Sequence, residues 1–143
     1  MPNGKKLKIT EVGCPLDEDL DSLKEGLRAF NCSKIGDYLY EKIACFVKSE
    51  SGVVLGGAYG LISWDWLHVE WLWCHKDIRA KDYGSRLLLK METYARKKGA
   101  KHVKLETADF QALDFYLKQG YEIYAELPDC PPGYKSYLLK KSL

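Results

Sequence analysis

Glu-Trp-Leu-Trp-Cys-His-Lys-Asp-Ile-Arg-Ala-Lys-Asp-Tyr-Gly-Ser-Arg, residues 70–86, reads as a strand, a turn and the start of a helix. An alternating apolar strand runs through Cys74 into the polar turn Lys76 to Lys81, and an amphipathic helix begins close to Asp82, Tyr83 and Gly84. A junction of this kind aims free backbone N–H groups at one point. Arg79, Lys81 and Arg86 surround those donors, and the positive end of the helix dipole stands behind them. The combination suits a phosphate-bearing ligand.

Downstream, the helix from about Asp82 to Lys98 puts Leu88, Met91 and Ala95 on one face and turns Arg86, Lys90 and Lys97 to water, with Gly99 as its stop. His102 to Thr107 is a short strand rich enough in Val and Leu to be internal. Asp109 can then cap a helix that carries Ala112, Phe115 and Tyr116 inward and ends at Gly120. Two closing strands, Tyr121 to Leu127 and Tyr134 to Lys141, flank a loop stiffened by Pro128, Pro131 and Pro132.

Upstream, strands fit Tyr40 to Lys48, Val53 to Ile62 and Trp66 to His75, the first two joined by a hairpin turn at Ser49-Glu50-Ser51-Gly52. Gly56-Gly57 marks a bulge or a close contact. Before them, Asp17 can cap a helix with Leu20, Leu23, Leu27 and Phe30 on one face, which ends within Asn31 to Gly36 and leaves room for a short second helix. Lys6 to Gly13 alternates weakly, as a first strand would. The order gives an α+β (mixed α/β) fold: one domain over residues 1–143, with a twisted mixed sheet of about six to seven strands flanked by helices. The helix between Cys74 and His102 links strands that would lie parallel, and open sheets bind ligands beyond the carboxyl ends of such strands.

At 143 residues and 46% hydrophobic content, the chain can bury a core of its own. Its 22 Lys+Arg against 20 Asp+Glu leave a formal +2, which argues for neither a nucleic-acid nor an anionic-membrane partner. Cys14, Cys32, Cys45, Cys74 and Cys130 contain no CxxC pair, so they read as reduced thiols with no metal site. No apolar run approaches a membrane span and no secretory h-region follows the N-terminus, so a cytoplasmic location is expected.

Ile78-Arg79-Ala80-Lys81-Asp82-Tyr83-Gly84-Ser85-Arg86-Leu87-Leu88, followed by Ala112-Leu113-Asp114-Phe115-Tyr116-Leu117-Lys118-Gln119-Gly120-Tyr121, resembles the GNAT superfamily of acyl-CoA-dependent N-acetyltransferases, whose element order agrees across nearly the whole chain. The resemblance implies acetyl-CoA as cosubstrate. It assigns the pantetheine arm to backbone groups of Leu72, Trp73 and Cys74, with one N–H on the thioester carbonyl. It assigns the pyrophosphate to the N–H groups from Arg79 through Ala80, Lys81, Asp82, Tyr83 and Gly84 to Ser85, and sets Phe115 and Tyr116 beside the sulfur. Two positions depart from the family pattern. Asp82 replaces the first motif glycine and Ala80 stands where many members carry another, so an Asp82 side chain that capped the helix would occupy the phosphate donors. Asp109 stands where many members have Asn.

Acetyl transfer to an amine of pKa ~10.4 needs a proton acceptor at neutral pH. Glu70 is the candidate base; it matches a strand glutamate of many family members and, by simple alternation, shares a face with Trp66, His68 and Leu72. Its bland alternative is a glutamate paired with a lysine at a sheet edge. Glu106, at a strand end, is a lesser candidate. His68 is either a base, a water relay to Glu70 or a structural histidine. Tyr116 is the candidate acid for the departing thiolate, or a core aromatic. Cys74 supplies the oxyanion N–H; as a nucleophile it lacks a histidine partner. Trp64, Trp66, Trp71 and Trp73 crowd the candidate base, so Trp66 and His68 are substrate-binding candidates. The expected acceptor is a small-molecule amine, attacked directly in a ternary complex; homodimers fit the family. Two other readings are a non-catalytic acyl-CoA sensor, motivated by Asp82 and Ala80, and a protein-interaction module.

Overall fold

The computed structural model describes residues 6–143, and the chain divides into two units, one of residues up to Tyr38 and one from Leu39 to Leu143. In the first unit, helix α1 spans Asp17–Ile35. Asp17, Glu18 and Asp19 occupy its first turn, where carboxylates complement the positive helix end; Leu16 holds the N-cap position, so Asp17 is not the cap. Nothing in Asn31 to Ile35 breaks a helix, and α1 therefore runs on to Gly36, whose φ of 78° ends it. No short second helix follows. None of the residues of α1 is buried, and Leu23, Leu27 and Phe30 are exposed: an apolar stripe marks a helix face but does not by itself bury it. Lys6 to Gly13 pairs with no strand, and Leu7, Ile9 and Val12 are exposed.

The second unit is built on β1 (Tyr40–Lys48), β2 (Val54–Ser63), β3 (Trp66–Cys74), β4 (His102–Ala108), β5 (Glu122–Pro128) and β6 (Lys135–Ser142), with helices α2 (Tyr83–Lys97) and α3 (Leu113–Lys118). The sheet therefore has six strands, in the order β1-β2-β3-β4-β6-β5. Only β3 and β4 run parallel, joined through α2 as the sequence implies. α2 lays Leu87, Leu88, Met91 and Ala95 on Ile43, Ala58, Ile62, Leu67, Val69, Val103 and Leu105. Each such large side chain taken from water contributes about 1.5–3 kcal/mol, so this layer fixes the sheet against α2. Asp109 does not cap α3, which begins at Leu113 without a side-chain cap; its carboxylate instead accepts the Lys135 N–H at 3.2 Å, tying the end of β4 to the start of β6.

Two irregularities interrupt the regular course of β3. Tyr59 pairs with Trp71 while Gly60 pairs with Val69, so Glu70 is an extra residue, a bulge on β3. Gly60 permits it: a Cβ there would lie 2.4 Å from the His68 carbonyl oxygen. After the bulge the alternation changes phase, so Leu72 and Cys74 pack on the core while Trp71 and Trp73 are exposed. Leu72 thus leaves the face of Trp66 and His68 that simple alternation gives it. The second irregularity is the pairing with β4, which covers only Trp66 to Val69 against His102 to Leu105. β4 continues beside β6 as far as Ala108, and the two parallel strands part.

Candidate active site

The parting of β3 and β4 opens a cavity of about 950 Å³, walled by β3 from Val69 to Cys74, the loop and first turn of α2, the end of β4, and α3. Its floor is set by strand geometry. The His75 N–H donates to the Leu55 carbonyl at 2.7 Å, across to β2. Successive peptide groups alternate, so the groups of Trp73 also point to β2, and those of Leu72 and Cys74 point into the cleft. The Cys74 carbonyl there accepts the Arg79 Nε–H at 3.0 Å. On the same edge the Cys74 N–H is left as a donor facing the cleft.

At the mouth stands the start of α2. Asp82 is the N-cap residue and its carboxylate makes no cap hydrogen bond. The first-turn N–H groups of Tyr83, Gly84 and Ser85 therefore keep their full donor capacity, and the Ser85 hydroxyl donates back to the Asp82 carbonyl at 3.0 Å. Ala80 and Asp82 both adopt the left-handed region, φ 59° and 63°, the conformation that glycine supplies most cheaply. Gly84 approaches the Phe115 ring so closely that a Cβ would touch it at 3.6 Å. A turn of N–H donors beside Arg79, open to the cavity, fits a pyrophosphate and a chain trailing inward from it.

Deeper in, Tyr116 is buried, edge-on to Phe115 at 5.1 Å and to Tyr121 at 5.8 Å, and burial pushes its phenol up to about 12. Burial also raises the Cys74 thiol despite the nearby Arg79 guanidinium, which keeps it protonated and a poor nucleophile. Glu70 and Glu106 line the inner end, where the cavity adjoins a second one of about 430 Å³. His68 lines that second cavity; burial first, and Lys104 second, lower its pKa against the opposing pull of Glu70 and Glu106.

Of the residues singled out in the sequence, Leu72, Trp73, Cys74, Arg79, Ala80, Asp82, Tyr83, Gly84, Ser85, Phe115, Tyr116 and Glu70 all line the main cavity. Lys81 does not, and Trp66 and His68 lie in adjoining hollows. Sequence reasoning passed over Thr107 and Gln111, which line both cavities; Gln111 Oε1 accepts the Ala108 N–H at 2.7 Å and shapes the end of β4. A polar pair straddling a strand end was the available signal. Among the described residues no group of His, Cys, Asp and Glu could hold a metal ion, and no helix is long and apolar enough to cross a membrane.

The model of the Acetyltransferase (GNAT) family matches residues 17–121. The blasticidin-S acetyltransferase of Streptomyces morookaense is 42% identical over 104 residues, covering 72% of this chain and 76% of that protein. The crystal structure of an acetyltransferase from Bacillus cereus is 30% identical with a TM-score of 0.80, covering 94% of this chain and 98% of the other. A solved structure from Agrobacterium tumefaciens shares the fold at a TM-score of 0.88 and 22% identity, covering 96% of this chain and 100% of the other.

Proposed function

The chain belongs to the acetyltransferase (GNAT) family and is an acetyltransferase, and from that premise we propose that it moves the acetyl group of acetyl-CoA onto a primary amine of a small molecule. The observation that carries this reading is the unbroken path from the uncapped first turn of α2, past the cleft-facing Cys74 N–H, to Glu70. In the proposed reaction the first-turn N–H groups and Arg79 bind the pyrophosphate. The pantetheine arm lies along the free edge of β3, satisfying peptide groups that β4 no longer reaches. The Cys74 N–H donates to the thioester oxygen as negative charge develops there.

Glu70 takes a proton from the acceptor ammonium, directly or through a water held by neutral His68. The free amine attacks the thioester carbon, the new C–N bond forms, the C–S bond breaks with its electron pair going to sulfur, and the second amine proton passes through solvent to the thiolate, giving a neutral amide and the free CoA thiol. The Tyr116 hydroxyl hydrogen-bonds the departing thiolate. A protonated Cys74 thiol supports direct attack over an acyl-enzyme route. Against the sensor alternative, motivated by Asp82 and Ala80, stands the Asp82 carboxylate, which makes no cap hydrogen bond to the first-turn donors. The blasticidin-S acetyltransferase relative supports a small-molecule acceptor.

Calorimetric titration with acetyl-CoA, followed by free-thiol release against a panel of amines, tests the reading. Binding with amine-dependent release is expected. No binding at millimolar ligand would overturn it.

A further inference from the structure

On the sheet face away from α2, side chains follow the register in rungs. Trp66 and His102 form the first, their rings stacked at 4.6 Å. His68 and Lys104 form the second, and Lys104 is paired in turn with Lys140 on β6. Beyond the last β3–β4 pair come Glu70 and Glu106, which line the same two cavities. Two lysines are therefore directly opposite in register, and one rung beyond them two glutamates face a shared cavity from the two strands. Such neighbours repel and destabilise a sheet. Among the described residues, the side chains of Glu70, Glu106 and Lys104 make no hydrogen bond or salt bridge, and that of Lys140 has only Glu122 at 3.9 Å on the outer strand.

The hollow holding the carboxylates and the hollow holding Lys104, Lys140, Trp66 and Tyr124 are neighbours on this face, with His68 lining both. Among the described residues, no Lys or Arg lines the carboxylate hollow and no Asp or Glu lines the other. One ligand of matching polarity would relieve both repulsions at once, and its flat part would lie on the aromatic rings.

Resting on the transferase reading, we propose that the acceptor is an elongated zwitterion, its amine held at Glu70 and Glu106 and its anionic group at Lys104 and Lys140. Two residues of strand separate the pairs, about 7 Å. The probes are para-(aminomethyl)benzoate, whose charged ends are separated by about that distance, and its neutral amide. Calorimetry on the CoA-saturated protein should give at least about tenfold tighter binding of the acid, a preference that weakens with added salt. Lys104→Gln, checked for an unchanged unfolding temperature, should bring the two close to parity.

Parity in the unaltered protein, absence of binding by both probes, or a preference that survives Lys104→Gln would overturn the proposal. Thiol release separates it from the transferase reading. Acetylation of both probes at equal affinity would sink the zwitterion and leave the transferase. Acid-selective binding without release from any amine would sink the transferase and leave the two-ended site.

Discussion

Replacing Tyr116 with Phe removes one oxygen from the wall of the cleft and keeps the packing around it. The ring contacts with Phe115 and Tyr121 survive, and among the described residues the hydroxyl makes no hydrogen bond that would be lost. The folding free energy should therefore change by less than about 0.5 kcal/mol. The chemistry sets a different scale. A phenol at about 12 facing a CoA thiol of pKa about 8.5 makes complete proton transfer to the thiolate uphill by roughly 5 kcal/mol. The hydroxyl is better suited to donating a hydrogen bond to sulfur as negative charge gathers there, and a bond to a charged partner contributes about 1.5–3 kcal/mol. Tyr116→Phe should then lower kcat by about 10- to 100-fold, with the KM for acetyl-CoA within about twofold. Initial rates of thiol release at saturating acetyl-CoA, read beside thermal unfolding, check both halves. An unchanged kcat in a folded variant would refute the role, and a large fall in Tm would make Tyr116 a structural residue.

Other consequences are measurable. Gly60→Ala places a Cβ 2.4 Å from the His68 oxygen at the bulge, so it should cost about 2–4 kcal/mol in urea unfolding and remove activity with it; a neutral result would mean that β2 can yield there. Asp82→Gly removes a carboxylate from the mouth proposed for the phosphates and supplies the residue that adopts φ 63° most easily, so acetyl-CoA should bind severalfold more tightly; an equal or weaker calorimetric Kd would count against this. Glu92, 3% exposed, accepts the Tyr121 hydroxyl at 2.6 Å and Lys141 Nζ at 3.0 and 3.2 Å, so Glu92→Ala should lose about 3–5 kcal/mol of stability, read from the denaturation midpoint. At high pH the unfolded chain gives up its tyrosine protons near pH ~10, while burial holds those of Tyr116 and Tyr121 in the folded chain. Stability from Tyr116 is thus complete below about pH 10 and lost as pH rises toward about 12, and Tyr121 extends the decline further. Tyr116 alone accounts for roughly 2–3 kcal/mol, and Tyr116→Phe should flatten that slope in urea titrations.

The strands of the second unit were legible to within a residue because short runs rich in β-branched, aromatic and apolar residues lie between turn signals. The bulge was not, since Trp66 to Cys74 reads as an unbroken apolar strand and an extra residue leaves no mark in composition. That single residue decides which face Leu72 takes. Glu92 escaped notice because an apolar stripe counts Leu88, Met91 and Ala95 and ignores a carboxylate between them whose partner lies 49 residues away. Ala80 and Asp82 hide their left-handed backbone for a related reason: without glycine, a positive φ has no signature in the sequence. The Lys6 to Gly13 alternation failed differently: a weak alternating pattern does not by itself secure a pairing partner, and these residues pair with no strand.

What the motifs could not convey is why the cleft exists. β4 must satisfy β3 on one side and β6 on the other, and it tracks β6 for seven residues but β3 for only four. Glu70, as the extra residue, changes the phase of β3 just where the pairing stops, so later peptide groups face an edge with no strand beside it. Backbone donors and acceptors left without partners are costly if buried, and they make a strand-like binding edge if left open. The same parting puts Glu70 and Glu106 on opposite lips of the gap. One local choice in β3, permitted by Gly60, therefore produces both the edge proposed for the pantetheine arm and the carboxylate pair proposed for the amine. Filling Gly60 should abolish both together, whereas Tyr116→Phe should leave both intact.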